Sequence, residues 1–219
     1  MDRGVEIAAI GDDARRVLAE KHGAREITLT ASRRTIQACA AAIRAVHREE
    51  FGRAEELIAE ASAAIETADE AVAAHPDIRH GGYLADAKKE YAEARLTLAF
   101  VRGDPMPSPD AIHVDVPPYL NGLAEAASEL RRLILDCLRA DRLVRAEELL
   151  TIMDDVYALL VTVDFPDGLT GGLRRTTDAL RAVIERTRGD LTNAIVARRV
   201  REAIERADPD ARDSGDDSI

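Results

Sequence analysis

Three carboxylates, Asp86, Glu90 and Glu93, recur at spacings of four and three along Tyr83–Val101, YLADAKKEYAEARLTLAFV. Side chains at those spacings share one helix face, about 5–6 Å apart at Cβ, so the like charges repel unless a cation or a proton lies between them. Mg²⁺ favours hard oxygen ligands and keeps several waters, so a few converging acids can hold it. The bland alternative is a solvated helix face, because Glu66/Asp69 and Glu202/Glu205 show the same spacing in a chain that is 32% charged. A second set is basic. Arg33, Arg44 and Arg48 fall on one helical side with Arg34 beside them. They form either a track for phosphates or salt bridges to acids on neighbouring helices. Glu-x-x-His, Cys-x-x-Cys, Gly-x-Ser-x-Gly and Gly-rich phosphate loops are absent, which argues against a di-iron bundle and against several common enzyme classes.

The elements that must position these groups read as helices. In the acidic stretch Leu84, Ala87, Tyr91, Ala94, Leu98 and Val101 make one apolar stripe beside the carboxylates. Before it lie a short pattern over 5–22, weakened by Gly11, and a heptad-like one through Leu29, Ser32, Ile36, Cys39, Ile43 and Val46, joined by a bend at Gly23. His47 sits on the core side of that helix and reads as a packing residue. A helix from Gly52 stops at His75-Pro76, since the residue before proline is driven out of the helical region. Residues 103–118 carry five prolines and form the one long loop. Prolines 117 and 118 suit the first turn of the next helix, Asp141 suits the cap of the one after, and the final helices are expected over 170–188 and 190–206, parted at Gly189-Asp190. The expectation is an all-α, seven-helix antiparallel bundle in one domain over 1–208, with 209–219 as a disordered acidic tail.

Composition narrows the setting. Forty-one acids against thirty bases give a net charge of −11, and only Lys21, Lys88 and Lys89 are lysine. An acidic, lysine-poor surface resembles that of halophilic proteins, and it argues against broad, non-specific duplex binding while leaving room for local arginine–phosphate contacts. Cys39 and Cys137 read as reduced core residues. With neither a membrane-length apolar run nor a signal peptide in view, a cytoplasmic protein is expected.

Several segments together resemble the translin family. Pro117–Arg132, PPYLNGLAEAASELRR, is similar to the family's Pro-x-x-Tyr-Leu-x-Gly stretch leading into Glu-Leu-x-Arg, with the prolines here directly before Tyr119. Ala38–Glu50, with Val46-His47, looks like the end of the first long helix. Glu90-Tyr91-Ala92-Glu93-Ala94 matches the Glu-Tyr-x-Glu-Ala motif of the catalytic branch, the translin-associated factor, and Leu173–Leu191 resembles the late helices. The likeness covers essentially residues 25–200. It implies a hollow homo-oligomer, an octamer, that binds single-stranded RNA or DNA inside. It also implies Mg²⁺ held by Glu90, Glu93 and Glu129, with Asp155 as a fourth catalytic candidate. The family places an acid directly after a helix Tyr, where Tyr157 is followed by Ala158; Asp155 and Asp154 lie within a turn of that position. Three functions therefore stand open: a single-stranded nucleic-acid-binding protein first, a Mg²⁺-dependent endoribonuclease second, a helical scaffold for protein partners third. With three Phe and four Tyr, base stacking has little to draw on, which shifts weight to phosphate contacts.

Overall fold

Helix α1 runs unbroken over Arg3–His47, begun by the Asp2 carboxylate accepting from the Gly4 amide at 2.9 Å. The computed structural model describes residues 2–79 and 81–207, so the acidic tail expected at 209–219 lies outside them. Nothing crowds Gly23, and the helix passes through it because the buried column continues on the far side, from Ala24 through Thr28, Ala31 and Thr35 to Ala45. These small side chains let α2 (Phe51–Val72) approach with its own Ala54, Ala61 and Ala68. Thr28 and Thr35 are buried without cost to the seam because their hydroxyls donate back to the Ala24 and Ala31 carbonyls, at 2.7 and 3.1 Å.

A one-turn α3 (Pro76–Arg79) leads to α4 (Tyr83–Arg102), the central helix. It packs on α1, α2 and α5 and is buried on almost every side. A 3₁₀ turn (Asp110–Ile112) follows, then α5 (Val116–Arg139), α6 (Leu143–Leu160), a one-turn α7 (Asp167–Thr170) and α8 (Leu173–Ala207). No strand occurs among the described residues, and none of their helices is long and apolar enough to cross a membrane.

Short links give antiparallel neighbours, as the sequence implies. Arg102–Glu55 and Lys88–Asp69 pair α4 against α2 in opposite directions, and Arg188–Asp154 and Arg174–Asp164 do the same for α8 against α6 and the turn that follows it. The long connection behaves differently. Residues 103–115 can reach about 43 Å when extended, more than the ~30 Å length of α4, so the chain returns to the starting end and α5 runs parallel to α4. α8 also runs with α5: Thr176 donates to Asn121 near one end, and Arg131 pairs with Asp190 further along.

Three local expectations are corrected. Gly11 and Gly23 leave α1 whole. The two helices expected over 170–188 and 190–206 are one helix, because Leu180, Ile184, Thr187 and Leu191 form a single buried stripe across Gly189. A mid-helix glycine costs only about 1 kcal/mol, and the Arg131–Asp190 pair ties down the residue beside it at 2.8 Å. Asp141 does not cap α6; it takes a left-handed conformation (φ 54°), and the Arg142 amide turns back to the Cys137 carbonyl at 2.8 Å, closing α5 instead.

Two helix ends overhang this core. α1 below residue 24 is exposed and carries Ile7, Ile10 and Leu18, and α8 beyond Leu191 carries Val196, Val200 and Ile204. Both cysteines are free and buried.

Candidate metal and nucleic-acid site

The acidic site is built by a close helix crossing. Gly122 of α5 lies against the α4 backbone so tightly that a Cβ there would stand 2.6 Å from the Lys89 carbonyl oxygen and 3.0 Å from the Glu93 nitrogen. That approach brings Glu125, one turn further along α5, over Glu90 and Glu93 of α4. One carboxylate oxygen from each of the three lies within 4.8 Å of the others. Glu93 is the deepest, 8% exposed, while Glu90 and Glu125 are half-buried. Burial, and then the charges of Glu90, Glu125 and Glu129, push the Glu93 carboxyl up to about 8, against the opposing pull of Lys89. At neutral pH Glu93 therefore carries a proton.

α1 forms the wall behind the cluster. Cys39 is fully buried there, its thiol pushed up to about 12 by burial and by Glu90 and Glu93, so it stays a neutral thiol. His47 Nε2–H donates to Glu129 Oε2 at 2.6 Å, with the ring 2% exposed and its Nδ1 buried without a hydrogen-bond partner. Glu129 is thus within electrostatic reach of Glu93 but committed to His47. It stands beside the group of three rather than in it.

The other candidates separate. Asp86 and Asp155 are exposed; Asp155 is on α6, outside the cluster, and its neighbour Asp154 is paired with Arg188 at 2.7 Å. Ala158 is exposed as well. Among the arginines, Arg34 is paired with Glu60 at 2.9 Å, and Arg48 makes two bonds to Glu50 at 2.8 and 2.9 Å. Arg33 and Arg44 are exposed and have no ion-pair partner among the described residues.

Sequence reasoning missed Glu125 and Lys89. Glu125 carried a signal: it follows Gly122 by three and precedes Glu129 by four, so all three share one side of α5 facing whatever that glycine admits. Lys89 Nζ lies 2.8 Å from Glu125 and 3.2 Å from Glu90. Burial pulls its ammonium down, but its bonds and attraction to Glu125 and Glu90 outweigh that, and the net shift is upward. The donor set fits a hard divalent cation: oxygens only, converging from two rigid helices, with more carboxylates than ammonium groups to balance them.

No family model matches the sequence. An uncharacterised protein of Methanocaldococcus jannaschii is 31% identical over 192 residues, covering 86% of this chain and 84% of that protein. Among solved structures, AfC3PO is 31% identical with a TM-score of 0.76 and is covered over 97% of its chain by 85% of this one. The same protein in a complex with duplex RNA gives 32% and 0.74. Apo-NeC3PO, at 20% identity and a TM-score of 0.75, shares the fold.

Proposed function

The chain belongs to the translin family, as AfC3PO does, and on that premise we propose that it binds RNA and cuts it at a divalent-ion site formed by Glu90, Glu93 and Glu125. The observation that carries this reading is the buried Glu93 held among three other acids with a single lysine to offset them. Such an excess of negative charge inside a fold is unfavourable unless a cation or protons relieve it. Mg²⁺ fits the all-oxygen donor set, and when bound it would neutralise charge on a phosphate oxygen and lower the pKa of a bound water. Glu90 and Glu125 would hold the ion from the two helices. Glu93, protonated at neutral pH when the site is metal-free, would release its proton to solvent on joining them. His47 fixes Glu129 at the edge of the site, where that carboxylate can accept a proton from an attacking water. AfC3PO is solved with duplex RNA; single-stranded RNA or DNA entering a hollow homo-oligomer remains the proposed substrate here. The exposed apolar residues on the α1 and α8 overhangs support assembly of copies into that shell, with the octamer as the proposed size. The acidic, lysine-poor composition supports work in concentrated salt.

Ala158 and the distant Asp155 favour a second reading, in which the protein binds nucleic acid and metal without cleaving. One experiment separates the two. Labelled single-stranded RNA, incubated with the protein in Mg²⁺ or EDTA, should be cut only in Mg²⁺, and Glu125→Gln should abolish cutting while binding in EDTA persists. RNA retained on the protein but intact in Mg²⁺ and in Mn²⁺ would leave the binding reading in place and sink the nuclease.

A further inference from the structure

We propose that Lys89 is a built-in counter-ion that occupies the acidic cluster in the metal-free protein and must leave it when a divalent ion binds. The proposal rests on the metal reading above and adds what the chain's own residue does before the ion arrives.

Lysine is scarce in this sequence, and its placement is informative. Of thirty basic residues only Lys21, Lys88 and Lys89 are lysine, and two of these are adjacent in α4. Lys88 points to α2, 4% exposed, with Nζ 2.9 Å from Asp69. Lys89 points to the opposite side and bridges Glu125 at 2.8 Å and Glu90 at 3.2 Å. An ammonium is a compact point charge on a flexible stem; a guanidinium is a wide planar fork. The former lies between carboxylates of the two helices that Gly122 lets approach. Its charge offsets the repulsion between the Glu90 and Glu125 carboxylates, so the cluster can form without metal.

The same contact sets Lys89 against the ion. A divalent cation taking one oxygen from each glutamate would place two positive charges within a few ångströms of the ammonium, and these like charges repel. Its side chain is a quarter exposed, so it has solvent to swing into. Metal binding is therefore an exchange of one cation for another, which lowers the apparent affinity. Removing Lys89 should strengthen ion binding and make the metal-free fold less stable.

The test uses Mn²⁺ as the probe, counted by the electron-spin signal of the free ion, with melting followed by helical circular dichroism in EDTA and in Mn²⁺. Wild type is compared with Lys89→Met, which keeps the stem without the charge, and with Lys89→Arg, which keeps the charge. Lys89→Met should bind Mn²⁺ at least about tenfold more tightly than wild type, melt lower in EDTA, and recover with Mn²⁺. Lys89→Arg should bind no more tightly than wild type. Equal Mn²⁺ binding by all three proteins would overturn the counter-ion role and leave the metal site standing. Absence of Mn²⁺ binding in all three, at millimolar ion, would overturn both. Should Lys89→Met unfold in EDTA, refolding with Mn²⁺ present supports the proposal, and failure to refold in either condition overturns it.

Discussion

Two sides of α4 carry buried charge, and they are organised in opposite ways. Toward α2, Lys88 meets Asp69 at 2.9 Å with Arg79 at 3.9 Å, so one carboxylate is matched by two cations. Toward α1 and α5, Glu90, Glu93 and Glu125 converge with Glu129 close by, and Lys89 is the cation that touches them. The first arrangement is complete as it stands, because each buried charge has its partner and nothing further is needed to hold it. The second is incomplete: one of its carboxyls keeps a proton at neutral pH. A charge that the fold satisfies itself serves packing, whereas one left in excess by the fold is available to a ligand.

Breaking the balanced side should have the largest effect on stability. Asp69→Asn leaves the Lys88 ammonium, 4% exposed, without its counter-charge. Removing one partner of a buried pair costs about 3–5 kcal/mol, and the partial exposure of Asp69 places this near the lower figure, a fall of roughly 10 °C in melting temperature. Mg²⁺ should not change that fall. A drop that Mg²⁺ reverses would mean the two sides of α4 are one electrostatic system, and the contrast would collapse.

Gly122→Ala attacks the other side through its scaffold. The new Cβ would meet backbone atoms of Lys89 and Glu93, which cannot rotate away, so overpacking of about 2 kcal/mol is expected. Pushing α5 outward also withdraws Glu125, so Mn²⁺ affinity should fall together with the melting temperature. A loss of stability with metal affinity unchanged would show that Gly122 serves packing alone.

The helices were legible because α4 and its neighbours obey the three-and-four rule without interruption. The parallel course of α5 was legible only in hindsight, since a proline-rich loop announces its length but not its destination. Glycine misled at position 189, where a weak local preference is overridden by the continuous stripe from Leu180 to Leu191. Two of the three carboxylates of the acidic site were visible, since Glu90 and Glu93 share one helix. Glu125 belongs to another helix, and only the depth of the Gly122 contact decides which α5 residue reaches α4. The arginine stripe shows the reverse limit. Spacing put Arg34 and Arg48 beside Arg33 and Arg44, but acids that satisfy the first two, Glu60 and Glu50, are set by packing and turn geometry.

Glu93→Gln sharpens the contrast through pH. The folded value of about 8 lies above the ordinary 4.5, so the stability this group supports is fully present below pH 4.5 and is lost as pH rises through 8. In EDTA, wild-type melting temperature should fall across that window while Glu93→Gln falls less. Below pH 4.5 the two should be nearly equal, because Glu93 is then neutral in the folded and the unfolded chain alike, and the gap should open steadily from there through pH 8. At pH 9 the variant should be more stable by a few kcal/mol, and added Mg²⁺ should narrow the gap by stabilising wild type alone. Equal slopes in the two proteins would show that Glu93 ionises normally, and the excess charge assigned to this side of α4 would have to be withdrawn.

The smallest effect concerns the exposed arginines, where the same distinction between satisfied and unsatisfied charge is drawn at the surface. Arg34 and Arg48 already bond Glu60 and Glu50, so phosphate contact would require them to give up a carboxylate. Arg33 and Arg44 have no such competitor among the described residues. Single-stranded RNA binding, measured in EDTA over a range of salt, should therefore respond unequally to two double variants. Arg33→Gln with Arg44→Gln should weaken binding uniformly across sequences and reduce the slope of log affinity against log salt by up to about 1.4, roughly 0.7 for each lost phosphate contact. Arg34→Gln with Arg48→Gln should change that slope by much less, because exposed ion pairs of this kind are worth under about 1 kcal/mol and release few counter-ions when lost. Equal changes in both would mean that RNA draws all four arginines away from their carboxylates, and that pairing seen in the free chain does not decide which cations meet phosphate.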